Sequence, residues 1–275
     1  MKHHIRKSRR RLFSPNAWKI RLVFWSGAIL VGLICVAFAE LAELANQQFL
    51  AVSKINPYLP LILTPVSLGI IAWLTRRFFS GSEGSGIPQT IAALDISQKS
   101  AVLSFKIAFA KIFLTLGGLL SGASIGREGP SVHIGASIMF SLGRIVRFPP
   151  HYMERGLILA GGAAGVAAAF NTPLAGIMFA IEEMSRSFEQ RISGIVTTAV
   201  VFAGVTAIAV LGQYHYFGQS TASFTVFDSA WLAIPLCGIV GGLAGGLFAQ
   251  SLISSSRKLL PYFISYPVLV ALFFG

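Results

Sequence analysis

The sequence predicts an all-α integral membrane fold, made of helices that span a bilayer and of helices that break within it. Three observations point there. Hydrophobic residues make up 54% of the 275-residue chain and charged residues only 12%, about half the ~25% of an ordinary soluble domain, and the mean hydropathy is +0.71. Uncharged runs recur along the chain at lengths that can cross a membrane. Glycine and proline clusters interrupt the apolar stretches at Gly84–Pro88, Gly126–Pro130 and Asn171–Pro173, and broken backbone at membrane depth is tolerated only where protein buries it or where it lines a cavity.

Residues 1–21 read as a basic cytoplasmic tail. Lys2, Arg6, Lys7, Arg9, Arg10, Arg11, Lys19 and Arg21 all precede the first apolar run, and basic segments beside a span favour the cytoplasmic side and anionic lipid. The net charge of +12 therefore does not imply a nucleic-acid partner, which would need basic residues interleaved with aromatics on a folded face. Leu22–Ala39 is a retained first span rather than a signal peptide, since Glu40, Leu41, Ala42 and Glu43 follow it where a small-residue cleavage site would stand. It is expected to end outside near Glu40–Gln48.

Leu59–Thr75 returns the chain to Arg76 and Arg77, on the same side as the tail. The glycine-rich loop Ser80–Gly86 then approaches from the cytoplasm. Ile87–Leu94 and Pro130–Leu142 are too short for simple crossings and read as half-helices. Further apolar runs cover Gly156–Ile181, Ile192–Phe227, Ser229–Ser256 and Leu259–Gly275. Gly161 with Gly165, and Gly238 with Gly242 and Gly246, recur every four residues and predict smooth stripes for close helix packing. Cys35 and Cys237 lie in apolar runs and read as core residues. His3, His4, His133, His151 and His215 show no ligand spacing, so neither a metal site nor a cofactor is expected.

Three segments carry chemistry. In Gly84-Ser85-Gly86-Ile87-Pro88 the glycines allow a tight path, Pro88 suits a first helical turn and Ser85 offers a hydroxyl beside unpaired N–H groups. A helix N-terminus in a low-dielectric interior attracts an anion. An ordinary N-cap in a loop is the simpler reading of this segment taken alone. In Gly126-Arg127-Glu128-Gly129-Pro130 an Arg-Glu pair at membrane depth is expensive and marks a functional site, unless the loop lies at the interface. Glu182-Glu183 follows Asn171-Thr172-Pro173, a further helix start in an apolar region. Lys106 and Lys111 stand in an apolar segment, where partners or snorkelling would stabilise them and a pathway role comes second.

These segments together, GSGIP at 84–88, GREGP at 126–130 and AAAFNTPLAGIMFAIEEM at 167–184, resemble the CLC family of chloride channels and proton/chloride exchangers. The resemblance runs from the first span to about Lys258. It implies an inverted-repeat helical bundle that assembles as a homodimer with one pore per subunit. Residues 22–227 would form the first transmembrane repeat and 228–275 the start of the second. Chloride would be bound by Ser85, Gly86, Ile87, Pro88, Arg127, Glu128 and Gly129. Glu128 would gate the pore, its carboxylate taking an anion position and leaving when protonated, and Glu183 would feed protons from inside.

Within the family, a carboxylate at 183 accompanies exchangers rather than channels. Serine at 85 accompanies chloride selectivity, whereas proline there accompanies nitrate preference. An intact GREGP differs from the fluoride-exporting branch. Gln89 stands where an acidic residue is often found. The expected function is proton-coupled chloride exchange in a bacterial inner membrane, with no enzyme activity. The alternatives are a passive voltage-gated chloride channel, a truncated non-transporting fragment, and an intramembrane hydrolase. The last is disfavoured because Glu83-Gly84 precede Ser85 in place of a rhomboid-like G-x-S-G and no histidine is assigned as its base. Since the family's second-half GxFxP loop and late tyrosine are missing from these residues, the chain is expected to conduct poorly by itself.

Overall fold

Helix α1 (Pro15–Ile55) runs 41 residues without interruption, roughly 60 Å at 1.5 Å per residue and about twice the hydrocarbon thickness of a bilayer. The sequence expectation ended this span near Glu40. The helix continues because Glu40 and Glu43 are exposed and simply face away from the bundle, whereas termination takes a backbone breaker, and the first is Asn56-Pro57. Its buried side chains Phe24, Ala28, Val31, Cys35, Phe38, Ala42 and Ala45 step alternately by four and three. They form one apolar stripe, which packs on the helices that carry the site. The start at Pro15 also places Lys19 and Arg21 on the helix rather than in a tail.

The computed structural model describes residues 15–146, 152–184, 190–212 and 229–275. The basic residues before Pro15, His3, His4, His151, His215 and the boundary expected at 227–228 lie outside the described residues. Helices α2 (Pro60–Phe78), α3 (Ile87–Ala92), α4 (Phe105–Leu120), α5 (Glu128–Val146), α6 (Tyr152–Phe170), α7 (Pro173–Phe179), α8 (Gln190–Leu211), α9 (Ala233–Ser265) and α10 (Pro267–Phe274) follow in order. No strand occurs among the described residues. Trp18–Ile55, Pro60–Phe78, Lys99–Leu120 and Ala233–Ser265 are long and apolar enough to cross a membrane, and the chain is an all-α integral membrane protein.

Two boundaries follow directly from residue chemistry. Helix α6 stops because Asn171 adopts a left-handed φ of 54° and the Thr172 N–H reaches back to the Ala167 carbonyl at 3.1 Å, a Schellman-type end. Pro173 then starts α7, so the apolar run Gly156–Ile181 is two helices. Helix α5 begins at the glycine-proline cluster as expected, but with 19 residues it outruns the half-helix expected over Pro130–Leu142. Gly143 is tolerated inside it, and the next prolines in sequence are Pro149 and Pro150.

Helix α5 is the centre of the bundle, with every residue from Gly129 to Ser141 buried. It lies against α6 at van der Waals limits. A Cβ on Gly135 would run into the Gly161 carbonyl, one on Gly161 into the Gly135 carbonyl, and one on Gly165 into the Ser131 carbonyl. The stripe expected at Gly161 and Gly165 is thus the surface on which the Glu128 helix is seated. Gly161→Leu should separate the helices at a cost of about 3 kcal/mol or more, read as a lower denaturation temperature of the detergent-solubilised protein. A wild-type melting curve would contradict that packing.

The second stripe behaves differently. Gly238, Gly242 and Gly246 have no neighbour within 4 Å of an added Cβ, because among the described residues α9 makes its contacts at its two ends. At its C-terminal end the Arg76 guanidinium donates to the Ile264 carbonyl. Helix α10 folds back onto α2, with Leu272 against Gly69 and Gly275 against Pro65. Cys35 is buried, as expected, while Cys237 is exposed.

Candidate functional site

The loop before α3 is shaped by two glycines in left-handed conformations, Gly84 at φ 71° and Gly86 at φ 116°, which other residues adopt only with strain. Gln89, in the first turn of α3, holds this loop with both ends of its amide. Its Oε1 accepts from the Gly86 N–H at 2.9 Å and its Nε2 donates to the Glu83 carbonyl at 2.8 Å. A carboxylate at 89 could make the first bond and not the second, which accounts for the departure from the acidic residue noted in the sequence. Thr90 Oγ1 donates to the Gly86 carbonyl at 2.8 Å. Beneath the loop, the buried Lys111 ammonium donates to the carbonyls of Gly84 at 2.6 Å, Ser82 at 2.7 Å and Glu83 at 3.5 Å.

The second loop delivers the start of α5. Arg127 Nη1 donates to the Ala39 carbonyl on α1 at 3.3 Å, and Ser131 Oγ donates to the Arg127 carbonyl at 2.8 Å. Glu128 is the first residue of α5. Its carboxylate folds back over Gly126, where an added Cβ would stand 2.5 Å from Glu128 Oε2.

The two loops touch through glycine. A Cβ on Gly129 would strike the Ser85 hydroxyl and would come within 2.7 Å of its carbonyl oxygen. One on Gly86 would lie 2.6 Å from the Gly129 carbonyl and 2.8 Å from the His133 Cβ. Two helix starts separated by some forty residues of sequence therefore meet, each with first-turn N–H groups that have no intrahelical acceptor. Beside them opens a cavity of about 890 Å³ lined by Ser85, Ile87, Glu128 and Gly129, with Lys111, Glu83, Arg76, Thr115 and Ser124 on its walls and Phe263 and Ile264 of α9 across it.

Of the expected residues, Ser85, Ile87, Glu128 and Gly129 line this cavity. Gly86 is buried behind it, Pro88 is exposed on the first turn of α3, and Arg127 reaches toward α1. Glu183 does not line it. It is exposed on a π-helical turn, Ala180–Met184, that continues α7, and such turns recur at functional positions. Lys106 is exposed with its ammonium 5.8 Å from the Phe79 ring centre, the snorkelling arrangement.

Two residues matter more than their sequence surroundings indicated. Lys111 is a cation on the cavity wall, and its place in an apolar segment was the signal. His133 is fully buried, and no spacing pattern marked it. Its Nε2 lies 2.7 Å from the Val102 carbonyl, and its Nδ1 has no hydrogen-bond partner among the described residues, the Ser85 hydroxyl included. N–H dipoles, a hydroxyl and an ammonium gathered at one side of a largely apolar cavity are groups that can hold an anion, and the Glu128 carboxylate stands at its edge.

Residues 66–275 match the family model described as voltage gated chloride channel. Among solved structures the chain is similar to a slow cyanobacterial Cl⁻/H⁺ antiporter, with a TM-score of 0.76 and 26% identity over 93% of this chain and 61% of that one. It also shares the fold of a CLC-type fluoride/proton antiporter, at TM-score 0.76 and 24% identity over 93% of this chain and 62% of that one. A eukaryotic CLC transporter matches at TM-score 0.73 and 18% identity, covering 94% of this chain and 48% of that one. The chain spans about 60% of the length of the first two structures.

Proposed function

Because the chain belongs to the voltage gated chloride channel family, we propose that it carries the first half of a transport path that exchanges chloride for protons across a membrane. The observation that carries this reading is the meeting of Ser85 and Gly129 beside Glu128 on one cavity. Chloride rests against the Ser85 hydroxyl and the N–H groups that open α3 and α5, where about half a unit of positive charge at each helix start offsets lost hydration. The Glu128 carboxylate competes for that position. Protonation removes its charge and its claim on the donors and the anion enters; the carboxyl then releases its proton on the other side and returns as the carboxylate.

Glu183 supplies protons from the far end of α7. The basic residues Lys19, Arg21, Arg76 and Arg77 favour a cytoplasmic N-terminal end by the positive-inside rule. In this reading the protein works as a homodimer in a bacterial plasma membrane. The test is flux from liposomes holding a full-length homologue that carries these residues, with chloride and proton electrodes read together. An outward chloride gradient is expected to draw protons inward against no proton gradient, and Glu183→Gln to slow proton movement more than chloride movement. Chloride flux with no proton movement would replace exchange by the passive channel reading, and no flux of either ion would remove the transport reading.

A further inference from the structure

His133 is fully buried one turn beyond Gly129 on α5. A carbonyl oxygen can only accept, so the 2.7 Å contact with Val102 makes Nε2 the donor and fixes the neutral tautomer with hydrogen on Nε2. Nδ1 has no hydrogen-bond partner among the described residues. The Cβ of His133 also lies 2.8 Å from where a Cβ on Gly86 would stand. This residue therefore joins three parts of the site: α5, which bears Glu128; Gly86, which opens α3; and Val102, just before α4, which bears Lys111. Phenylalanine would fill the buried volume with a ring and leave the Val102 carbonyl without this donor.

We infer that His133 is a positioning residue for the anion site: its N–H bond to Val102 holds α5 against the α3–α4 connection and so sets how the two helix starts meet beside the cavity that takes the anion. The inference deepens the chloride reading given above and rests on it. Binding by preorganised dipoles depends on their separation to within about half an ångström. A tie at the junction of all three parts therefore governs affinity as well as stability.

The test compares chloride affinity, measured by calorimetry on the detergent-solubilised protein, in wild type, His133→Phe and His133→Gln. His133→Phe should weaken chloride binding about tenfold, the scale of one lost hydrogen bond carried into affinity. His133→Gln, whose amide N–H can reach the same carbonyl, should recover most of the loss. A purely structural role would lower the melting temperature of both variants without separating their affinities. The wild-type protein supplies a second reading that needs no folded variant. In ¹⁵N-histidine spectra, chloride should shift an imidazole signal of the Nε2–H tautomer that is absent from His133→Gln. Chloride binding that leaves this signal still, or a folded His133→Phe that binds as wild type does, overturns the inference. Wild-type protein that binds no chloride removes the anion site itself and this inference with it.

Discussion

Glu128→Gln, made in a full-length homologue, is expected to keep chloride moving while proton uptake driven by a chloride gradient falls to background, a drop of about a hundredfold or more, the scale on which losing a positioned proton carrier slows transfer. The amide matches the carboxylate in size, so the first turn of α5 and the contact over Gly126 survive. It lacks the negative charge that competes for the N–H donors and the oxygen that takes up the proton. Competition and coupling therefore disappear together, while Ser85, Gly129 and Lys111 remain in place around the cavity. Stoichiometric proton coupling in this variant would contradict the exchange mechanism at its gate.

Lys111→Met is the second large effect. The side chain is only 3% exposed, and its ammonium bonds the carbonyls of Ser82, Glu83 and Gly84. Methionine fills similar space with no donor. The Glu83 carbonyl keeps the Gln89 amide as donor, but the carbonyl of buried Ser82 is left without the ammonium at a cost of about 1–3 kcal/mol, so the loop before α3 should loosen and the protein should denature several degrees lower. The full charge on the cavity wall vanishes as well. At an effective dielectric near ~20 such a charge contributes on the order of 1–2 kcal/mol to a nearby anion, so chloride should bind roughly tenfold more weakly. Calorimetry with chloride and a melting curve read the two effects separately. Unchanged affinity would mean that Lys111 serves the loop and not the anion.

Much of the site could be read from sequence because its parts are local. Glycine, proline and a polar residue at fixed offsets dictate where α3, α5 and α7 begin, and the Gly161–Gly165 spacing marks the face that seats α5. The long-range ties carry no such local mark. Lys111 finds its carbonyl partners 27 to 29 residues earlier in the chain, and His133 finds Val102 31 residues away. Glu40 and Glu43 suggest an end that α1 does not have, because an acidic residue on the exposed side of a helix interrupts nothing. The stripe on α9 has the same spacing as the one on α6, so spacing cannot tell a glycine row with a partner helix from one that has none among the described residues.

The most direct measurement locates the anion itself. Crystals of the protein grown in bromide should show an anomalous peak between the Ser85 hydroxyl and the first N–H groups of α5, and Glu128→Gln should add a second peak where the carboxylate had been. Bromide bound away from Ser85, or an unchanged pattern when the carboxylate is removed, would contradict the claim that anion and side chain share one set of donors.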